Sequence, residues 1–213
     1  MALRFVFVAA ALWLTGCATA ENSLSVAEVA SLRIEKVSIV YSPKAEIWWG
    51  QAERDYAEAL QAKSSAKPKR VSVATDDAAA AASEHAKIVE SPEARTAIRE
   101  RLSGMVRQSI ERNVLPNFKG TRGAHLEVGI VSFVIPSAAQ RIVFGGTPMF
   151  GAKTVLKDSK TGAVLAKSDQ ISVGPSGNGL LGVAVDQAMT NSDLEDRVLK
   201  AYAASVNRLL TRQ

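Results

Sequence analysis

The sequence predicts an α+β domain, with a mixed, largely antiparallel sheet of four to five strands and two or three packed helices. Three patterns indicate this class. Apolar residues recur every three to four positions over residues 98–114 and 194–209, which is the helical period. They alternate over residues 126–130, as they do in a strand with one buried face. Residues 152–173 read as two strands around a glycine-containing turn.

The first residues have the layout of an export signal rather than of a folded element. One positive charge, Arg4, precedes the unbroken apolar run Phe5–Leu14. The run is too short to cross a bilayer, because about 20 apolar residues are needed for that. We therefore exclude this segment from the fold.

The stretch Leu14-Thr15-Gly16-Cys17 resembles the bacterial lipobox, in which a branched apolar residue and two small ones precede a cysteine that becomes lipidated. Cys17 is the only cysteine of the chain, so it cannot form an internal disulfide. The alternative is that Ala18-Thr19-Ala20 is an ordinary cleavage site, which would release a soluble protein. The lipobox interpretation divides the chain into a signal peptide (1–16), a tether (17–31) and a single domain (32–213).

The resemblance implies a membrane partner, reached through acyl chains on Cys17. Two or three chains anchor a protein stably, whereas a single chain binds only marginally. The sorting rule for such lipoproteins, applied to the non-acidic Ala18, implies the outer membrane facing the periplasm. The formal net charge of +5 comes from dispersed lysines and arginines, which is typical of a solvated basic surface. Together with export, this argues against a nucleic-acid partner.

The first strand is predicted over residues 37–41, ending at the turn Ser42-Pro43. Leu32 and Ile34 are out of phase with the alternating apolar residues of this strand, which predicts a bulge or a late strand start. A helix is then expected over residues 44–62. Successive helical side chains diverge by about 100°, so at most one of two neighbouring tryptophans, Trp48 and Trp49, is expected in the core.

Residues 63–90 contain few large apolar side chains and predict a flexible insertion. Ser91-Pro92-Glu93 then marks a helix start, with a capping hydroxyl, a proline and an acid in the first turn. This helix is expected to end at Pro116.

His125–Ile135 predicts a central strand that ends at Pro136. Ala152–Val173 predicts a hairpin in which Gly162 takes the positive φ of the turn. Residues 141–144 are a further possible strand. The last helix is expected to begin at Ser192, with Glu195 completing a capping box.

No pattern of a catalytic or metal site is found. The two histidines, His85 and His125, do not lie at ligand spacing from each other or from the cysteine. The glycine-rich stretch Gly174–Gly179 matches neither a nucleophile elbow nor a phosphate-binding loop. We expect no enzyme activity, no cofactor and no metal.

With the lipobox, one mixed domain and the hairpin stretch Val155–Ser168 in view, the chain resembles the small, mostly uncharacterised lipoproteins of the bacterial envelope. Related folds occur in the curli-secretion lipoprotein and in the outer-membrane activators of penicillin-binding proteins. The resemblance covers residues 34–210. It implies a non-enzymatic role in envelope assembly, or as an auxiliary subunit that binds an envelope protein. The alternative is a soluble periplasmic module that binds an anionic ligand and is cut after Ala20.

An apolar cluster follows the glycine-rich stretch and is a possible contact surface for the partner. It contains Leu180, Leu181 and Val183, separated by small residues rather than by charges. The alternative is a buried lead-in to the last helix, because apolar residues usually belong to a core.

Overall fold

The computed structural model describes residues 20–63, 87–136, 147–174 and 190–212. Its five strands are β1 (Ala20–Asn22), β2 (Leu32–Trp49), β3 (Arg122–Ile135), β4 (Met149–Asp158) and β5 (Val164–Val173). The helices of six or more residues in these ranges are α1 (Val26–Ser31), α2 (Gly50–Lys63), α3 (Pro92–Asn113) and α4 (Asn191–Thr211). A 3-10 turn, Leu115–Asn117, follows α3.

The strands form one sheet in the order β1-β5-β4-β3-β2. Only the β2–β3 pairing is parallel, and the other three are antiparallel. This confirms the predicted α+β class and the mixed, largely antiparallel sheet. The shortest strand, β1, and the longest, β2, are the two edges.

Helices α3 and α4 cover one face of the sheet, because alternate strand residues on that face are apolar. In β3 these residues are Ala124, Leu126, Val128 and Ile130, all fully buried. The helices supply matching apolar stripes, Ile98, Leu102, Val106 and Ile110 from α3, and Val198, Tyr202, Val206 and Leu210 from α4. Full burial of one such side chain contributes about 1.5–3 kcal/mol.

A row of aromatic rings continues the core across the sheet. Phe133 lies between Trp49 and Phe150, with centroid separations of 5.2 and 6.1 Å, and Phe150 meets Tyr202 at 4.7 Å. All three contacts are edge-to-face, the arrangement that aromatic quadrupoles favour. The Tyr202 hydroxyl lies 2.8 Å from that of Thr154, so its buried polar atom is satisfied. Burial raises the pKa of Tyr202 well above its usual value.

The predicted helix start at Ser91 is confirmed, since its hydroxyl accepts from the amide of Ala94. The hairpin is also confirmed, with Gly162 at φ 72°. The turn is held by Asp158, whose Oδ1 accepts from the amides of Lys160 and Thr161 at 3.0 and 2.9 Å. Its Oδ2 accepts from Arg122 Nε at 2.9 Å.

Three boundary predictions need correction. Strand β2 does not stop at Ser42-Pro43 but continues to Trp49, with the extra residues absorbed in an irregularity between Tyr41 and Glu46. Helix α2 therefore begins at Gly50 rather than near residue 44. The last helix is capped by Thr190, whose side chain accepts from Asp193, so Glu195 is not part of the capping box.

The tether predicted over residues 17–31 is replaced, from Ala20 onward, by folded structure. Strand β1 pairs with β5, and α1 follows with a capping box formed by Ser25 and Glu28. Leu24 between them is 1% exposed. The tether prediction rests on the position of this stretch directly after the candidate lipidated cysteine, but one buried leucine and an edge pairing suffice to include it in the fold.

The second face of the sheet is not covered by a helix in the described ranges and carries polar side chains. Lys157 and Glu127 form an ion pair there at 3.0 Å. No helix in these ranges has the length and apolarity needed to cross a membrane.

Candidate functional site

Most residues singled out from sequence lie outside the described ranges. These are Cys17, Leu180, Leu181, Val183, His85 and the possible strand at residues 141–144. The lipidation and contact-surface hypotheses therefore remain predictions.

His125 lies on β3, where its Nε2 is 2.8 Å from the hydroxyl of Ser38 on β2. Partial burial, together with the charges of Lys36 and Lys157, lowers the pKa of this imidazole, although Glu127 opposes the shift. Within the described residues no group of three or more His, Cys, Asp or Glu side chains is placed to hold a metal ion. The histidine links the two parallel strands.

Strand β1 is fixed to the folded domain by both β5 and α4. Ala20, Glu21 and Asn22 pair with Ser168, Lys167 and Ala166 of β5. The side-chain amide of Asn22 donates to the carbonyls of Leu209 and Leu210 at 2.8 and 3.1 Å, which are among the last of α4. These carbonyls have no partner within their helix, so Asn22 caps α4 while fixing β1.

A basic groove lies at the opposite edge of the sheet, between β2 and α3. It has a volume of about 550 Å³, is open to solvent, and is lined by Tyr41, Thr96, Arg99, Glu100, Ser103, Gly104 and Arg107. We call it the β2–α3 groove.

Tyr41 supports the floor of the β2–α3 groove. Its hydroxyl donates to the backbone carbonyl of Arg99 at 2.6 Å and lies 3.1 Å from Ser103 Oγ. The Arg99 guanidinium stands over the Tyr41 ring, 5.1 Å from its centroid. Burial raises the pKa of Tyr41, so the phenol stays neutral at physiological pH. The tyrosine therefore orients one arginine along the groove.

Arg99, Ser103 and Arg107 recur at intervals of four residues and share one side of α3. Within the described residues, no carboxylate lies at ion-pair distance from Arg99 or Arg107, although the carboxylate of Glu100 also lines the groove. Guanidinium groups with free donors recognise carboxylates and phosphates. The groove can thus bind an anion, but it offers no nucleophile paired with a base.

A second polar cluster lies where β2 ends. The indole Nε1 of Trp49, which is fully buried, donates to Glu195 Oε1 at 2.5 Å. Arg101 stands over the indole, 4.7 Å from its centroid, and pairs with Asp55 at 2.6 Å. The neighbouring Trp48 is 67% exposed. As expected, one tryptophan joins the core, but it does so because strand residues alternate between faces rather than because of helical divergence.

Burial raises the pKa of Glu195, and its hydrogen bond with Trp49 opposes that shift. A buried carboxylate with a raised pKa is a frequent sign of a catalytic acid. Here the carboxylate has a structural partner, since it joins the first turns of α4 to the end of β2. We assign it a packing role.

The sequence reading missed both the β2–α3 groove and the Trp49–Glu195 pair. The four-residue recurrence of Arg99, Ser103 and Arg107 is present in the sequence beside the apolar stripe that predicts the helix. The pairing of residues 49 and 195 carries no local signal, because it depends on the fold.

Comparison with known proteins yields weak structural likeness only. No protein-family model and no curated protein matches the chain. Among solved structures, a "putative lipoprotein" from Caulobacter crescentus CB15 matches at TM-score 0.32 and 16% identity, over 53% of this chain and 82% of that one. A PelC dodecamer from Paraburkholderia phytofirmans matches at 0.34 and 14%, over 92% and 98%.

A Xanthomonas campestris protein of family DUF330 matches at TM-score 0.32 and 16% identity, over 52% of this chain and 63% of that one. These neighbours include a lipoprotein-like protein. At such scores the likeness does not extend to function, which rests on the chain's own residues.

Proposed function

We propose that this chain is a lipid-anchored, non-enzymatic protein of the bacterial envelope whose domain binds an envelope partner. The observation that carries the proposal is Leu14-Thr15-Gly16-Cys17 at the end of an apolar export segment. The outer membrane, facing the periplasm, is the proposed location. No residue is proposed to be catalytic.

The position of β1 supports cleavage before Cys17. That cleavage keeps all of Ala20–Asn22 in the mature protein. Cleavage after Ala20 would remove the residue that pairs with Ser168 and leave a new amino terminus at Glu21, inside the strand. The lipobox therefore yields a mature chain whose first strand is complete.

The β2–α3 groove is the proposed docking site for the partner. Its arginines fit an acidic, extended segment of a protein, because Arg99 and Arg107 are two helical turns apart and face the same open groove. Charge complementarity of this kind sets specificity and association rate more than total affinity.

A fractionation experiment tests the anchor. Cys17→Ser removes the acceptor thiol, so we expect the protein to appear in the soluble fraction or to accumulate as precursor. Ala18→Ser is the matched control, since it leaves the cysteine and the three residues before it intact. Membrane association of Cys17→Ser equal to that of the control would contradict lipidation.

A binding experiment tests the groove separately. A fluorescent peptide of consecutive glutamates is titrated into the mature protein, and anisotropy is followed at low and high salt. We expect Arg99→Gln with Arg107→Gln to weaken binding about tenfold or more, which corresponds to about 1.4 kcal/mol. Arg95→Gln, an exposed residue of the same helix outside the groove, is the control. Equal affinity of the double variant and the Arg95→Gln control for the peptide would exclude the groove as the binding site.

The same groove favours a second candidate, a soluble periplasmic module that binds an anionic ligand. This candidate predicts the same peptide binding to the groove. It differs in predicting that the mature chain begins at Glu21 and carries no lipid. The two candidates therefore differ in the anchor experiment and agree in the binding experiment.

A further inference from the structure

The strand that follows the lipobox is held rigidly at one edge of the sheet. Asn22 bonds two terminal carbonyls of α4, and its Oδ1 accepts from the amide of Leu24 at 2.8 Å. Arg212, at the end of α4, donates to the carbonyl of Asn22. The amino-terminal strand is thus fastened from both sides, by β5 and by the end of α4.

Only two residues separate Cys17 from Ala20, the first residue of β1. Three residue steps span at most about 10–11 Å even when fully extended. A lipid on Cys17 would therefore bring the β1 edge to the level of the headgroups, with no tether long enough to let the domain rotate freely.

We propose that the β1 edge is a membrane-apposed surface, so that the domain stands on the lipid headgroups with β1 and the carboxyl end of α4 beneath. This rests on the proposed lipidation of Cys17. The β2 edge is four strand spacings away, about 19 Å across the sheet. It faces away from the bilayer, and the β2–α3 groove opens toward the periplasm.

The residues around β1 fit a lipid interface. Arg208 and Arg212 are exposed near the carboxyl end of α4, where guanidinium groups would meet lipid phosphates. Val26, in the first turn of α1, is 85% exposed, which is unusual for a valine and suits the boundary between headgroups and acyl chains. The anchor dictates the orientation, and these side chains add to it.

The chain offers a clean test, because its only cysteine is the proposed site of lipidation. A new cysteine is then the single free thiol of the mature protein. Gln170→Cys places it on β5, beyond the start of β1, and Lys44→Cys places it on β2, both at exposed positions. Each variant is labelled with a fluorophore and reconstituted into vesicles of phosphatidylethanolamine and phosphatidylglycerol carrying nitroxide on some headgroups.

We expect several-fold stronger quenching of the label at residue 170 than at residue 44, at both low and high salt. Similar quenching at both sites, or stronger quenching at residue 44, would overturn the orientation. Failure of the protein to float with the vesicles would instead contradict lipidation, so the two hypotheses fail in different ways. Substituting Arg208 and Arg212 with glutamine should leave the order of quenching unchanged.

Discussion

The indole nitrogen of Trp49 and the carboxylate of Glu195 form a 2.5 Å hydrogen bond between residues 146 positions apart. The bond joins the end of the longest strand to the first turns of the last helix. It brings together a ring and an acid that are both almost completely buried. This buried pair therefore orients α4 on the sheet.

The Trp49–Glu195 pair predicts an unusual pH dependence. Because burial raises the pKa of Glu195, the folded state favours the neutral acid, and this contribution to stability falls as pH rises above about 4.5. Glu195→Gln keeps an acceptor for the indole but cannot ionise. We expect its stability relative to the parent to increase between about pH 4 and about pH 7. Urea unfolding at several pH values measures the difference.

Glu195→Ala is the companion variant, because it leaves a buried indole N–H without a partner. It should destabilise the domain by about 1–3 kcal/mol. If the free energies of unfolding of Glu195→Gln and the parent differ by the same amount at every pH, folding does not raise the pKa of Glu195.

The hairpin turn predicts the opposite dependence of stability on pH, because its carboxylate has a lowered pKa. The Thr161 amide, the Arg122 guanidinium and the Lys160 amide all bond Asp158 and hold the pKa of that carboxyl far below its usual value. Stability from this group is therefore complete above about pH 4 and is lost as pH falls. Asp158→Asn should be less stable than the parent near neutrality, with the gap narrowing in acid. A gap that does not narrow would contradict this assignment.

Alanine substitutions at two glycines should change stability in opposite directions. Gly162 has φ 72°, so alanine there should cost about 1–2 kcal/mol. Gly104 lies inside α3, and a Cβ placed there meets no atom within 4 Å. Alanine at that position should stabilise the domain by about 0.5–1 kcal/mol. Thermal and urea unfolding measure the change in stability of each variant. Equal changes in the free energy of unfolding would show that backbone conformation does not determine the effect of either substitution.

One substitution in the apolar cluster of Leu180, Leu181 and Val183 distinguishes a contact surface for a partner from a buried lead-in to α4. If it contacts a partner, Leu181→Asp should melt near the parent while losing partner capture in crosslinking. If it is a buried lead-in to α4, the unpaired charge should cost several kcal/mol. A variant that melts far below the parent would exclude the contact surface.

The sequence predicted those elements in which local chemistry and periodicity agree. The serine cap and apolar stripe of α3 are one example, and the Gly162 hairpin is another. It failed where tertiary pairing overrides local pattern. Pro43 reads as a strand end, yet it lies in the irregularity between Tyr41 and Glu46 of an edge strand, where the missing N–H costs no pairing.

The start of the domain shows the same limit. Residues 20–31 follow the candidate lipidated cysteine and read as a tether, and only the contacts of Asn22 and the burial of Leu24 reveal that they belong to the fold. The proposed groove depends on β2 lying beside α3, a relation between residues about 60 apart that no local pattern encodes.

The most direct test of the central claim is the intact mass of the mature protein extracted from membranes. Lipidation predicts a chain that begins at Cys17 and carries the mass of a diacylglyceryl group, with or without a further acyl chain. An unmodified chain that begins at Glu21 would contradict the anchor, and with it the orientation of the domain at the membrane.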